Sequence, residues 1–146
     1  MPVRRRLTGT IEVALPPAQA FRLFTPRGEQ DWVEGWDPHF PDPEADDTEP
    51  GTVFETHAHD QRTIWTVVDR RPGRMMSYSR ATPGLRAGTV TVSLEATPGQ
   101  SDHSTVTVSY DLTALSEADR ADLAKFAADY PGFLRSWQET IAATLA

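Results

Sequence analysis

The chain has 146 residues and a mass of 16.2 kDa, with 38% hydrophobic and 24% charged residues and a formal net charge of −7. That mixture and length fit one globular domain spanning residues 1–146 with a single core, and exclude a disordered chain. The absence of cysteine excludes disulfides, a thiolate nucleophile and Cys-ligated metal centres, and the acidity opposes a nucleic-acid partner, whose binding rests on Lys and Arg neutralising phosphates.

No apolar run approaches the ~18 residues of a spanning helix, and Met1-Pro2-Val3-Arg4-Arg5-Arg6 leads into no signal-type apolar stretch. A cytoplasmic protein without membrane insertion is expected. Residues 6–14 alternate, with Leu7, Gly9, Ile11 and Val13 on one side and Arg6, Thr8, Thr10 and Glu12 on the other, which predicts a half-buried strand. Pro16-Pro17 ends it and suits the first turn of a short helix over 18–24, stopped by Thr25-Pro26. A second short helix is predicted over 29–36, where Trp32 and Trp36 stand one turn apart.

Residues 37–51 hold four prolines and a cluster of acids without periodicity, which predicts an exposed loop. Strand-like stretches follow at 52–59, 62–70, 74–82, 86–97 and 103–113, separated by turn residues. Val90, Val92 and Leu94 alternate with Thr and Ser, as do Val106, Val108, Tyr110 and Leu112, and Pro98–Asp102 between them has hairpin composition. The sheet is therefore expected to be antiparallel. Ser116 starts a C-terminal helix, and Leu123, Phe126, Tyr130, Leu134, Trp137, Ile141 and Leu145 form one apolar stripe. The stripe runs in register through Pro131, which predicts one long helix kinked there rather than two helices. The order of elements gives an α+β class.

Charge is uneven along this order: residues 41–60 carry seven acids and no base, while 61–86 carry six arginines against Asp69 alone. Solvated loop and strand edge account for such runs without a partner.

The chain resembles the helix-grip superfamily of START-like, polyketide cyclase/dehydrase and lipid-transport proteins (SRPBCC) over nearly its whole length. The resemblance lies in Ile11-Glu12-Val13 followed by Pro17-Ala18-Gln19-Ala20-Phe21, in Glu34-Gly35-Trp36-Asp37-Pro38 and in Gly51-Thr52-Val53-Phe54-Glu55-Thr56. It continues through Trp65-Thr66-Val67-Val68-Asp69, Tyr78-Ser79-Arg80 and Gly88-Thr89-Val90 to the aromatic C-terminal helix. It implies a curved six-stranded antiparallel sheet wrapped around a long C-terminal helix, with two short helices after the first strand. It also implies a sheet–helix cavity that takes apolar or amphipathic small molecules; no cofactor is expected. Phe54, Trp65, Tyr78, Val92, Val108 and Tyr110 of the sheet and Phe126, Tyr130, Phe133, Leu134 and Trp137 of the helix are its expected walls.

Several side chains could add chemistry. His57 and His59 stand two apart in a predicted strand beside Glu55, an arrangement that could bind a divalent ion if His39 or His103 joined it, although surface histidines near a hairpin turn need no ligand. No metal is assigned. Arg80 shares a face with Tyr78, so it either points inward to hold a ligand carboxylate or enolate, or lies at an edge with its head in water. Trp32 and Trp36, with Phe40, are candidates for a lid, although core packing also accounts for tryptophans. No nucleophile elbow or phosphate-binding glycine loop is present.

The primary expectation is a carrier or sensor for a small hydrophobic or aromatic ligand. The alternatives are a polyketide cyclase- or dehydratase-like enzyme using His57, Tyr78 and Arg80 in acid–base work, and an interaction module like the chaperone-ATPase activators of this fold, docking through acidic residues 41–60. A homodimer and a cavity filled by the chain's own aromatics both stay open.

Overall fold

The computed structural model describes residues 2–146. Six strands, β1 (Arg4–Val13), β2 (Val53–Ala58), β3 (Gln61–Arg71), β4 (Met75–Thr82), β5 (Arg86–Thr97) and β6 (Gln100–Ala114), form one antiparallel sheet in the order β1-β6-β5-β4-β3-β2. Every pairing except β1 with β6 joins chain neighbours through a short turn, so period-2 patterning can set the registers directly. Tyr78 faces Val90, which in turn faces Tyr110, so one inward row crosses the middle of the sheet. A bulge between Val67 and Asp69 adds local twist to β3 and leaves Val68 outward.

Only one face of the sheet is covered. Its inner residues, including Ile11, Phe54, Met76, Val92, Val106 and Val108, join Leu123, Leu134 and Ile141 of the C-terminal helices in a single core. The outer face carries hydroxyl pairs such as Thr8 with Ser109 and Ser77 with Thr91. This is the in–out alternation of an antiparallel sheet with one solvated side.

The C-terminal segment is two helices, not the single kinked one the stripe predicts. α2 (Glu117–Ala128) and α3 (Tyr130–Leu145) are separated by Asp129 at φ −102°, ψ 16° (α1 is the short helix after β1, below). Pro131 explains the break, because its missing N–H is tolerated in a first turn but not in a helix interior. The register nevertheless survives. Asp129 donates its N–H to Lys125 and accepts from Phe133 at 3.0 and 2.9 Å, so the turn is near-helical and Leu123, Tyr130 and Leu134 all stay buried. Ser116 caps α2 by accepting from the Asp119 N–H.

Between β1 and β2 the chain is less helical than its spacing predicts. α1 (Pro17–Ala20) passes into a 3₁₀ turn over Phe21–Phe24, and the expected helix over 29–36 contracts to a 3₁₀ turn over Gly28–Asp31. The indole N–H groups of Trp32 and Trp36 reach back to the carbonyls of Leu23 and Pro26, both at 2.7 Å, and so hold this segment against itself. A Cβ at Gly28 would overlap the Arg22 carbonyl oxygen, so only glycine lets the turn approach this closely. Among the described residues no helix is long and apolar enough to cross a membrane.

Candidate ligand-binding cavity

A cavity of about 200 Å³ lies between the inner face of the sheet, α3 and the 24–36 segment. Trp65, Tyr78, Arg80, Val90, Val92 and Tyr110 supply the sheet wall, Phe133 and Trp137 the helix wall, and Phe24, Glu29, Val33 and Trp36 the side that the 24–36 segment closes. The aromatics therefore do not fill the space completely. Trp36 and Trp65 meet edge to face at 5.4 Å, and Phe133 and Trp137 lie 5.2 Å apart.

Of the residues that the sequence marks for ligand contact, Trp36, Trp65, Tyr78, Arg80, Val92, Tyr110, Phe133 and Trp137 come together here. Trp32, Phe40, Phe54, Phe126 and Tyr130 do not line it. Trp32 is core, edge-on to both Phe24 and Trp137. Phe54 is buried behind the wall, stacked on Trp65 on one side and Phe40 on the other. Phe126 and Tyr130 pack with Tyr110, and the Tyr130 hydroxyl donates to the Val108 carbonyl at 2.6 Å. A residue can thus sit on the inward face and still miss the cavity, because neighbouring rings occupy the space in front of it.

Arg80 resolves the choice left by its spacing: it points inward. Its guanidinium lies 5.1 Å over the Trp65 ring, and one Nη donates to the Thr82 hydroxyl at 3.1 Å. Thr82 is itself buried and hydrogen-bonded to Thr63 at 2.7 Å. The Arg80 Nε is enclosed without any hydrogen-bond partner, and among the described residues no carboxylate lies within 4.0 Å. Burial pushes its pKa down, yet a guanidinium stays charged.

Phe24, Glu29, Val33 and Val90 also line the cavity without having been marked from the sequence, and Glu29 is the polar one among them. It stands three, four and seven positions before Trp32, Val33 and Trp36, so the aromatic spacing could have revealed it. Its carboxyl forms no ion pair among the described residues, and burial holds it well above its ordinary value of 4.5, favouring the neutral acid. Tyr78 is committed, since its hydroxyl donates to the Phe24 carbonyl at 2.7 Å. Tyr110 forms no such bond among the described residues. Burial, with the Glu29 charge adding to it, raises both phenols above their usual range.

The histidine arrangement does not form. His57 is exposed on the outer side of β2, away from the cavity, which removes it from any set with Tyr78 and Arg80. His59 is not in the strand at all. It shares the β2–β3 turn with Asp60, both with positive φ (52° and 62°), so the two histidines do not share a strand face. Glu55 instead pairs with Arg62 at 3.3 Å, and among the described residues no three His, Asp or Glu side chains gather as a metal site.

The acidic loop is tied down. Arg27 donates to the carbonyls of Ala45 and Pro43 while lying 4.2 Å over Phe40, and Arg70 bridges Asp46 at 3.1 Å. His39 pairs with Glu55 through the backbone, which extends the sheet beyond β2.

A sheet that wraps a C-terminal helix over an aromatic cavity defines a helix-grip protein. The chain belongs to the polyketide cyclase / dehydrase and lipid transport family, whose model matches residues 4–141. It is similar in structure to the protein XoxI from Bacillus cereus, at 18% identity and TM-score 0.71 over 97% of this chain and 96% of that one. Norcoclaurine synthase from Thalictrum flavum is similar at 11% identity and TM-score 0.67, over 98% and 87% of the two chains. The Aha1 dimer from Colwellia psychrerythraea is similar at 13% identity and TM-score 0.61, over 94% and 96%. These likenesses are of fold. No curated protein sequence matches the chain.

Proposed function

We propose that the protein binds a small hydrophobic or aromatic molecule in the cavity between the sheet and α3, as a carrier or sensor. One observation carries this reading: aromatic walls enclose about 200 Å³ in which Arg80 and Glu29 have unused hydrogen-bonding capacity. Apolar walls with a few convergent polar groups are the usual make-up of small-molecule sites. Size narrows the ligand, because an apolar cavity of about 150 Å³ already takes benzene. One or two fused rings match that volume.

Native mass spectrometry of the purified protein, then denaturation of the same sample, tests this. The expected result is extra mass that leaves on unfolding and identifies the ligand. A bare protein mass, with no rise in melting temperature across a panel of one- and two-ring aromatics, would oppose it, because any ligand of the folded state must stabilise that state.

A second reading, an enzyme of the cyclase or dehydratase type, draws support from Glu29. A carboxyl that burial pushes towards its neutral form is suited to general acid–base work, with the unbonded Tyr110 hydroxyl as a further donor. In that case Glu29→Gln keeps ligand binding and loses turnover. A homodimer also belongs to this proposal, since the Aha1 neighbour is a dimer, and sedimentation equilibrium checks it directly.

A further inference from the structure

Among the ionisable groups of the cavity, only Arg80 carries a charge it cannot discard. Glu29 can become neutral by taking a proton, and burial favours that form. Tyr78 and Tyr110 are phenols that burial keeps protonated. A guanidinium has no such escape.

Arg80 is also incompletely served by the protein. Of its five N–H donors one reaches Thr82, and the Nε is enclosed with no acceptor. Asp119, whose charge acts on Arg80, is spent elsewhere: it accepts two hydrogen bonds from Arg86, at 2.9 and 2.8 Å. A buried charge without a partner is costly, and a chain with net charge −7 has no general surplus of cations to explain one here. The Trp65 ring lies 5.1 Å from the guanidinium carbon, a cation–π contact that holds the head group in the cavity wall.

Resting on the reading of this cavity as a ligand site, we infer that the ligand is a small aromatic carboxylate. Its one or two rings lie among Trp36, Trp65, Phe133 and Trp137, and its carboxylate is held by Arg80. The acid group supplies acceptors for the Nη hydrogens that Thr82 does not take and the counter-charge that the protein withholds, while the cavity volume sets the ring count.

A matched pair of probes tests this on the full chain: 2-naphthoate, ionised at neutral pH, and 2-naphthamide, nearly the same shape without the charge. Isothermal titration calorimetry at pH 7 should give naphthoate an affinity about tenfold or more above naphthamide, as a charge-assisted contact requires. In Arg80→Met, checked for folding by circular dichroism, naphthoate should lose its advantage, so that the two probes bind alike. Arg80→Lys should retain part of the preference. Equal binding of the two probes by the unaltered protein, or a preference that survives Arg80→Met, would overturn the carboxylate assignment and leave the cavity reading standing. Binding of neither probe would overturn both. The comparison on the unaltered protein decides the matter even if Arg80→Met fails to fold.

Discussion

Arg80 on β4 and Arg86 at the start of β5 stand on adjacent strands, and the regions around them treat a buried guanidinium in opposite ways. Where β5 meets α2, Arg86 meets Asp119 in a two-pronged pair, with the two side chains 18% and 4% exposed. In the cavity wall, Arg80 has a ring beneath it, one hydroxyl beside it and no acid. Thr82 links the two regions, since it accepts from Arg80 and lies opposite Arg86 in the strand register. The first region uses its charge to join sheet to helix. The second leaves its charge without an acid within 4.0 Å, which lowers stability unless a ligand completes it.

The largest expected effect breaks the first region. Asp119→Ala strands the Arg86 charge, and loss of one member of a buried pair costs about 3–5 kcal/mol, readable by urea denaturation. Arg80→Met should go the other way in the same experiment, from neutral to about 2 kcal/mol more stable, because it removes a charge the fold does not pair. Equal losses from both substitutions would erase the contrast.

Glu29→Gln sharpens the comparison through pH. The carboxyl is raised in the folded state, so the native protein holds a proton that the unfolded chain releases near the ordinary value of 4.5. Stability from this group is therefore fully present below that pH and declines as pH rises towards the higher folded value. Across pH 4 to 8 the melting temperature of the unaltered protein should fall relative to that of Glu29→Gln, which lacks the titrating group. The same slope in both would remove Glu29 as its source. The smallest effect belongs to His57→Ala, an exposed side chain outside the cavity, with a stability change within about 0.5 kcal/mol and unchanged ligand binding.

The strands and their inward faces were legible because period-2 alternation reports directly on an antiparallel sheet with one wet side. Tyr78 and Arg80 were placed on one face that way, as were Val92 and Tyr110. Depth within that face was not legible. Phe54 and Trp65 both line the inner side, yet only Trp65 reaches the cavity, because Phe40 from a distant loop stacks on Phe54. The helix break at Asp129 was obscured by a turn that keeps the helical register. Glu29 escaped notice although its spacing to Trp32, Val33 and Trp36 marks it, because that spacing was read only for its aromatics and the segment is a 3₁₀ turn rather than the expected helix. His59 was misplaced by one structural unit, since a two-residue turn with positive φ took it out of the strand.

The contact between Trp36 and Trp65 has an optical consequence. Two indoles 5.4 Å apart and inclined at 76° couple their strong electronic transitions, so the pair should give a paired positive and negative band in far-ultraviolet circular dichroism. Both rings border the cavity, and Trp36 belongs to the segment that closes one side of it. Any occupant that wedges the rings apart would shrink that signal, and the protein would report occupancy without a label.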